Sequence, residues 1–180
     1  MTTSALYQPL ALGDAVAVCL MRSRDFGAED FARLHPGGSL GRRLSLVKDH
    51  MHDVERLTRI APNADFHRVL EGVTANNFGI VAVVEGANQL AGAISDGDLR
   101  RALLKHDAAA LRTRAKDLMS GQPKSIEPLA LAIDAVSIMN EKQITQLFVV
   151  ERHGAGKHAP ETATLRGLIR LHDLLAAKIL

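Results

Sequence analysis

Two continuous apolar runs occur in each half of the chain. Residues 80–84 and 147–150 are rich in β-branched residues, and each run ends at a glutamate. Residues 90–94 and 165–169 form a second, largely apolar run shortly afterwards. Short unbroken runs of this kind are typical of strands that are buried on both faces. The pattern therefore predicts a pair of buried strands in each half.

Ahead of each strand pair, the apolar positions follow a helical period instead. The spacing i, i+3, i+4, i+7 places its members on one face of a helix. The first such face is formed by Phe66, Val69, Leu70 and Val73. The second is formed by Ala132, Ile133, Val136, Met139 and Asn140. We interpret both faces as packed against the core, with short extended segments at 57–60 and 124–126 preceding the helices.

The two halves are copies of one unit. Lys-Asp-His-Met at 48–51 returns as Lys-Asp-Leu-Met at 116–119, and a final helix is predicted to begin near Asp98 and again near Asp173. The predicted order is strand, helix, strand, strand, helix, given twice, which is an α/β (α+β) fold. We expect the first unit at 47–105, a linker at 106–114 and the second unit at 115–180. Within the second unit, 151–164 is predicted to be a solvated insertion.

The first 46 residues do not share the repeat. Residues 10–21 are apolar almost all round, which predicts a helix that needs burial on several sides, with Cys19 as a small core residue. A short helix is expected at 28–31, and 35–43 is rich in turn residues. Because no strand is predicted here, we interpret 1–46 as the helical end of a domain that begins upstream.

Composition excludes several classes of function. The chain has 47% hydrophobic residues, a formal net charge of +2 and one cysteine. The charge is too small to indicate nucleic-acid binding, and no run approaches the roughly 18 apolar residues that span a membrane. The histidine pairs His50/His52 and His153/His158 lack metal-ligand spacing. We therefore expect no nucleic acid, membrane or metal partner, and a cytoplasmic location.

A short motif near the end of each unit carries candidate binding chemistry. It reads Gly-Ala-Ile-Ser-Asp-Gly-Asp-Leu at 92–99 and Gly-Leu-Ile-Arg-Leu-His-Asp-Leu at 167–174. The glycine allows a ligand to approach the strand, Ser95 can bond a ribose or phosphate oxygen, and Asp98 can accept from a ribose diol. Arg170 replaces the serine and can pair with phosphate or carboxylate. The alternative is that Ser95 and Asp98 only cap the last helix as a capping box.

The candidate nucleotide contacts extend beyond the two motif acids. Arg101 follows Asp98 on the final helix, where it is either a solvated residue or within reach of a phosphate between the units. The full predicted set is Ser95, Asp96, Asp98, Arg101, Lys124, Arg170, His172 and Asp173.

The repeated unit and its motif resemble the CBS domain. That family's pattern is glycine, two apolar residues, Ser or Thr, two variable residues, then Asp before an apolar residue. Ser95 and Asp98 match this pattern, and Asp173 matches it in the second copy, where Arg170 departs. The resemblance implies two units packed face to face, a homo-oligomer formed through the CBS pairs, and adenosine nucleotides as generic ligands.

The segments at 11–15, 28–31 and 35–42 are similar to the junction in arabinose-5-phosphate isomerases, which join a sugar isomerase (SIS) domain to a CBS pair and supply Kdo synthesis for lipopolysaccharide. The resemblance implies interconversion of an aldose and a ketose phosphate through an enediol. It also implies that His35 corresponds to an active-site histidine of the family. Because the SIS sheet with its phosphate loops, lysine and glutamate is absent, His35 is alternatively a loop histidine, and activity of this chain alone is an open question.

Three functions follow from these resemblances. The first is a regulatory sensor that requires no cofactor and binds CMP-Kdo or AMP, ADP or ATP. The second is a structural module that holds subunits together without ligand. The third is completion of an isomerase active site in trans through His35.

Overall fold

The computed structural model describes residues 4–27, 30, 44–75, 77–153 and 162–179. It contains two compact units, Met1–Ser45 and Leu46–Leu180. In the first unit, helix α1 spans Ser4–Ser23, and its apolar residues Leu12 and Val16 are exposed. Cys19 is exposed as well, so its interpretation as a core residue is wrong: no described element of this unit covers that face. The short helix expected at 28–31 and the turns at 35–43 lie outside the described residues, apart from Asp30.

The second unit contains the repeat. Its strands are β1 His52–Asp53, β2 Arg59–Ile60, β3 Ile80–Glu85, β4 Gln89–Ser95, β5 Ser125–Ile126, β6 Gln146–His153 and β7 Thr162–Arg170. Its α-helices are α2 Phe66–Ala75, α3 Asp96–His106, α4 Ala115–Leu118, α5 Ala132–Lys142 and α6 Leu171–Ala176. Three short 3₁₀ helices lie at Val47–Asp49, Val54–Arg56 and Asp107–Arg112. The predicted order strand, helix, strand, strand, helix is thus present twice, as β2-α2-β3-β4-α3 and β5-α5-β6-β7-α6.

The strands form one mixed sheet in the order β2-β3-β4-β7-β6-β5, with β1 beside β7. Strand β2 is parallel to β3, and β5 is parallel to β6. Strands β3 and β4 are antiparallel, as are β6 and β7. The halves meet where Gln89 pairs with Thr164. The α/β fold expected from the sequence is therefore confirmed.

The central strands are apolar throughout because both of their faces are buried. In β3, Val81 and Val83 face the core of the first repeat, whereas Ala82 lies in a second core between the repeats. In β6, Phe148 and Val150 join the same central core. Successive strand side chains point to opposite faces, so a strand covered on both sides shows no polar alternation. The two repeats consequently pack face to face, as the fold prediction requires.

The first segment of each repeat packs on the other repeat. Val47 is buried in the second repeat's core and its N–H donates to the carbonyl of Ala130 at 2.9 Å. Ala115 is buried in the first repeat's core and its N–H donates to the carbonyl of Ala64, also at 2.9 Å. The linker predicted at 106–114 is largely the 3₁₀ helix, with Ala110 buried in the first core.

Three details of the predicted pattern are wrong. Leu70 is 44% exposed, because α2 approaches the sheet so closely at Gly72 that a Cβ there would lie 2.9 Å from Val81 Cγ1. Asn140 is also exposed. The insertion predicted at 151–164 is shorter, because β6 and β7 continue their ladder to the pair His153 and Thr162; residues 154–161 lie outside the described part.

Candidate functional site

A cavity of about 400 Å³ lies between the two repeats. One wall comes from the first repeat, where Ser95 ends β4 and Asp98 lies in the first turn of α3. The opposite wall comes from the second repeat, at Ser120, Lys124 and the start of β6. This volume is within the range of small-molecule sites, roughly 300–1,000 Å³. Two of the predicted contacts from different repeats, Asp98 and Lys124, thus line one cavity.

Ser95 and Asp98 form the capping box of α3. The Ser95 N–H and hydroxyl donate to Asp98 Oδ2 at 2.8 and 2.6 Å. In return, the Asp98 N–H donates to Ser95 Oγ at 3.4 Å. The capping alternative is therefore present, and the same two side chains line the cavity.

The second oxygen of Asp98 is held by a solvent-exposed partner. Arg101 Nη2 donates to Asp98 Oδ1 at 2.6 Å, and the Arg101 side chain is 73% exposed. Burial raises the pKa of Asp98, but hydrogen bonds from Ser95 and Arg101 outweigh that effect and leave the pKa below its ordinary value. Asp98 is thus an ionised acceptor at neutral pH, and one of its two oxygens has a partner that can move into solvent.

Two more of the predicted nucleotide contacts, Lys124 and Asp96, lie at or beside the cavity. Lys124 is exposed and lines it. Asp96 is also exposed, and its carboxylate lies against Gly79, where an added Cβ would come within 2.9 Å of Asp96 Oδ2. Gly79 has φ +65°, a conformation that glycine adopts without strain.

Gln146 is a cavity residue that the sequence did not point to. Its Nε2 donates to the carbonyl of Phe78 at 2.7 Å, which connects β6 of the second repeat to the first repeat. Its Oε1 is buried and has no hydrogen-bond partner among the described residues. An unsatisfied buried acceptor costs about 1–3 kcal/mol, so a donor that reached this oxygen would be favoured.

The glycine of each motif serves the chain's own packing. At Gly92, an added Cβ would lie 2.9 Å from the carbonyl oxygen of Ser120. At Gly167, an added Cβ would overlap the carbonyl oxygen of His52. The expectation that these glycines admit a ligand is therefore wrong: the first segment of the other repeat occupies the space.

The second motif copy forms a closed group of side chains, here called the Arg170 cluster and consisting of Arg170, Asp173, His52 and Phe78. Arg170 Nε and Nη2 donate to the two carboxylate oxygens of Asp173, each at 2.8 Å. His52 Nε2 lies 2.8 Å from Asp173 Oδ2. The Arg170 guanidinium lies 5.2 Å from the Phe78 ring centroid, and the His52 ring lies 5.0 Å from it.

The hydrogen bonds of this cluster identify the protonation of its members. Arg56 Nη1 donates to His52 Nδ1 at 3.1 Å, so His52 Nε2 carries the proton and donates to Asp173. Hydrogen bonds from Arg170, opposed by burial and reinforced by His52, lower the pKa of Asp173 to about 2. His172, the third predicted contact in this copy, is exposed.

The predicted residues therefore fall into two groups. Ser95, Asp98 and Lys124 share the cavity, whereas Arg170 and Asp173 bind each other. His35 lies outside the described residues. Among the described residues, no three His, Cys, Asp or Glu side chains are placed to hold a metal, and no helix is long and apolar enough to cross a membrane.

Comparisons with known proteins agree with this architecture. Over 158 residues the chain is 46% identical to a probable arabinose 5-phosphate isomerase of Haemophilus influenzae, covering 86% of this chain and 46% of the relative. It is 34% identical to the arabinose 5-phosphate isomerase KdsD of Escherichia coli K12, covering 98% of this chain and 51% of the relative. The chain thus spans about half the length of these relatives and is homologous to their C-terminal region.

A solved structure shares the fold. The crystal structure of CBSX2 in complex with AMP has a TM-score of 0.59 and 22% identity, covering 74% of this chain and 96% of that one. A family model described as the CBS domain matches residues 47–105 and 115–179. Because these two copies occupy more than half of the chain, on the repeated fold described above, the protein belongs to the CBS domain family.

Proposed function

We propose that this chain is the regulatory CBS pair of an arabinose 5-phosphate isomerase, and that it binds a nucleotide in the cavity between Asp98 and Lys124. The observation that carries the proposal is the cavity itself, which joins an ionised carboxylate of one repeat to a lysine of the other. A ligand with a ribose diol and a phosphate matches this pair of groups.

Asp98 can receive a ligand without loss of the helix cap. The cap uses Oδ2, whereas Oδ1 is held by Arg101, whose exposed side chain forms an ion pair that solvent screens. A ribose hydroxyl that replaced Arg101 on Oδ1 would leave Ser95 and the start of α3 intact. The released Arg101 guanidinium could then meet the ligand's phosphate together with Lys124.

The class of nucleotide follows from two considerations. The related fold of CBSX2 was solved with AMP, which supports an adenine nucleotide. Homology to arabinose 5-phosphate isomerases supports a product of Kdo synthesis instead, and CMP-Kdo carries a ribose diol, a phosphate and a carboxylate. Both bases carry an exocyclic amine, which is the kind of donor that Oε1 of Gln146 lacks among the described residues.

Regulation would follow from the position of the cavity between the repeats. A ligand that binds one arrangement of the repeats more tightly than another shifts the population toward that arrangement. The attached isomerase domain would respond by the same coupling free energy. Assembly of the CBS pairs into a homo-oligomer is part of this proposal and would carry the response between subunits.

The test is a thermal shift measurement with AMP, ADP, ATP, CMP, CMP-Kdo and arabinose 5-phosphate. A ligand at 100 times its Kd adds about 2.7 kcal/mol of stability, which raises the unfolding midpoint by several degrees in a domain of this size. The shift should disappear in Asp98→Ala. It should persist in Asp134→Ala, which removes an exposed aspartate from the first turn of a helix that does not line the cavity, α5. If no nucleotide shifts the midpoint, the sensor proposal is wrong and the structural role is favoured.

A further inference from the structure

The register of the strands matches each position of one repeat with a position of the other. Ala93 and Leu168 are matched positions, because each follows the motif glycine of its repeat. Ser120 bridges Ala93, and His52 pairs with Leu168. His52 is therefore the counterpart of Ser120.

The same register identifies two more counterparts. Ile80 pairs with Ser95 and Gln146 pairs with Arg170, so Arg170 occupies the place of Ser95. Ile80 and Gln146 are therefore matched as well. The residues two positions before them, Phe78 and Ile144, are counterparts for the same reason.

The cavity should accordingly have a counterpart on the other side of the pair, and the Arg170 cluster lies there. At all three matched positions the cavity has the smaller side chain: Ser120 against His52, Ser95 against Arg170, and Ile144 against Phe78. Arg170 and His52 each lie against the ring of Phe78, and Phe78 is buried. Space that is open in one cleft is thus filled by side chains in the other.

The hydrogen-bonding groups of the second cleft are occupied as well. Asp173 is the counterpart of Asp98, but its two oxygens accept from Arg170, and one of them also accepts from His52. Whereas Arg101 on Asp98 is 73% exposed, Arg170 is 25% exposed and lies against the Phe78 ring. Displacing Arg170 would break a bidentate ion pair and a cation–π contact together.

We propose that the Arg170 cluster closes the second cleft of this CBS pair, so that the chain binds one nucleotide and binds it only in the cavity at Asp98. The identity of the ligand in the open cleft rests on the proposed function, whereas the closure rests on the cluster alone. Arg170 and Asp173 are then positioning residues that hold the repeats together and do not contact ligand.

Isothermal titration of the full chain with AMP and with CMP measures the number of sites. The expected result is one site per chain, lost in Asp98→Ala and kept in Asp173→Ala. Two sites per chain, or one site that survives Asp98→Ala and is lost in Asp173→Ala, would overturn the closure while leaving nucleotide binding intact.

A variant that opens the second cleft sharpens the test. His52→Ser with Arg170→Ser gives this cleft the side chains of the first, and a second binding event should then appear. A folded double variant that still shows one site would contradict the closure. If the double variant does not fold, the single change Phe78→Ile, which also copies the first cleft, takes its place.

A measurement without ligand separates the two proposals. Asp173→Asn and Asp98→Asn each remove a carboxylate from the first turn of the last helix of a repeat. If the cluster holds the second cleft closed, Asp173→Asn should lower the thermal midpoint by at least about 4 °C more than Asp98→Asn. Equal midpoints would overturn the closure even if no nucleotide bound, whereas a lower midpoint for Asp173→Asn with no nucleotide binding would refute only the proposed function.

Discussion

The ionised carboxylate of Asp173 should make the free energy of unfolding depend on pH in the acidic range. Its pKa is lowered from 3.8 to about 2 in the folded chain, so the unfolded chain binds the proton more tightly. The contribution is therefore fully present above pH 4 and is lost as the pH falls toward 2. Solvent screens part of it, and we expect a contribution on the order of 1 kcal/mol.

The check is urea unfolding of the wild type and of Asp173→Asn between pH 7 and pH 2. The stability difference between them should shrink below pH 4. Because the hydrogen bonds from Arg170 are the largest cause of the lowered pKa, Arg170→Ala should remove the same pH dependence. A difference that stays constant down to pH 2 would show that Asp173 is not held ionised by this cluster.

Gln146 should select bases that carry an amino group. Its Oε1 is buried without a partner among the described residues, and adenine offers a donor where hypoxanthine offers an acceptor. We expect AMP to bind more tightly than IMP, and the preference to fall about fivefold in Gln146→Leu, the worth of one hydrogen bond of roughly 1 kcal/mol. Titration calorimetry with both nucleotides measures it.

The matched control is Gln122→Leu, because Gln122 is exposed and lines the same cavity. This variant should keep the wild-type preference. A preference for AMP that survives Gln146→Leu would exclude Gln146 as the selecting residue.

At the scale of single residues, the sequence predicted what is local. Ser95 and Asp98 are three residues apart, and so are Arg170 and Asp173, so their spacing alone places each pair at a helix start. The partners from elsewhere could not be predicted. His52 and Asp173 are 121 residues apart, and Gln146 and Phe78 are 68 residues apart. Such contacts depend on how the two repeats pack, which no local pattern encodes.

Among the elements, strand β1 leaves the least room for a side chain at any of the described glycines. It pairs with β7 at Gly167, where an added Cβ would overlap the backbone carbonyl of His52. Backbone cannot yield as a flexible side chain can, so Gly167→Ala should displace β1. We expect a loss of about 3 kcal/mol, the upper part of the range for overpacking.

Gly92→Ala is the matched comparison in the first repeat. Its Cβ would meet the flexible side chain of Met119 and the carbonyl oxygen of Ser120 at 2.9 Å. A smaller loss is expected, and urea unfolding of both variants measures the order. Equal stability of Gly167→Ala and the wild type would mean that β1 does not lie against β7.

The type and order of the elements were readable because each long strand is a continuous apolar run and each helix has a 3.6-residue period. The exchange of first segments between the repeats could not be predicted in this way. Val47 begins the first repeat but belongs to the core of the second, and Ala115 begins the second repeat but belongs to the core of the first. Both repeats begin with the same Lys-Asp motif, so sequence alone gives no reason to assign either segment to the other copy.

On the scale of the whole molecule, the stability of the described chain resides in the second unit. Among the residues whose side chains are described, every buried apolar residue lies after residue 46, in three clusters that belong to the repeats. Helix α1 instead exposes Leu12, Val16 and Val18. Exposed apolar groups of this kind favour association with other surfaces.

Removal of residues 1–45 should therefore leave a chain that folds and binds as before. The segment 46–180 should unfold cooperatively within a few degrees of the full chain and keep its nucleotide affinity, because the cavity and the Arg170 cluster lie entirely within it. It should also self-associate less, since the exposed apolar face of α1 is gone. Differential scanning calorimetry compares the unfolding transitions of the two chains, and static light scattering at matched concentration compares their self-association.

As a control, Leu12→Ser with Val16→Ser in the full chain should reduce self-association to the same extent. A shortened chain that loses its cooperative transition would show that the first unit contributes to the core of the repeats, and would place part of the stability outside the three clusters.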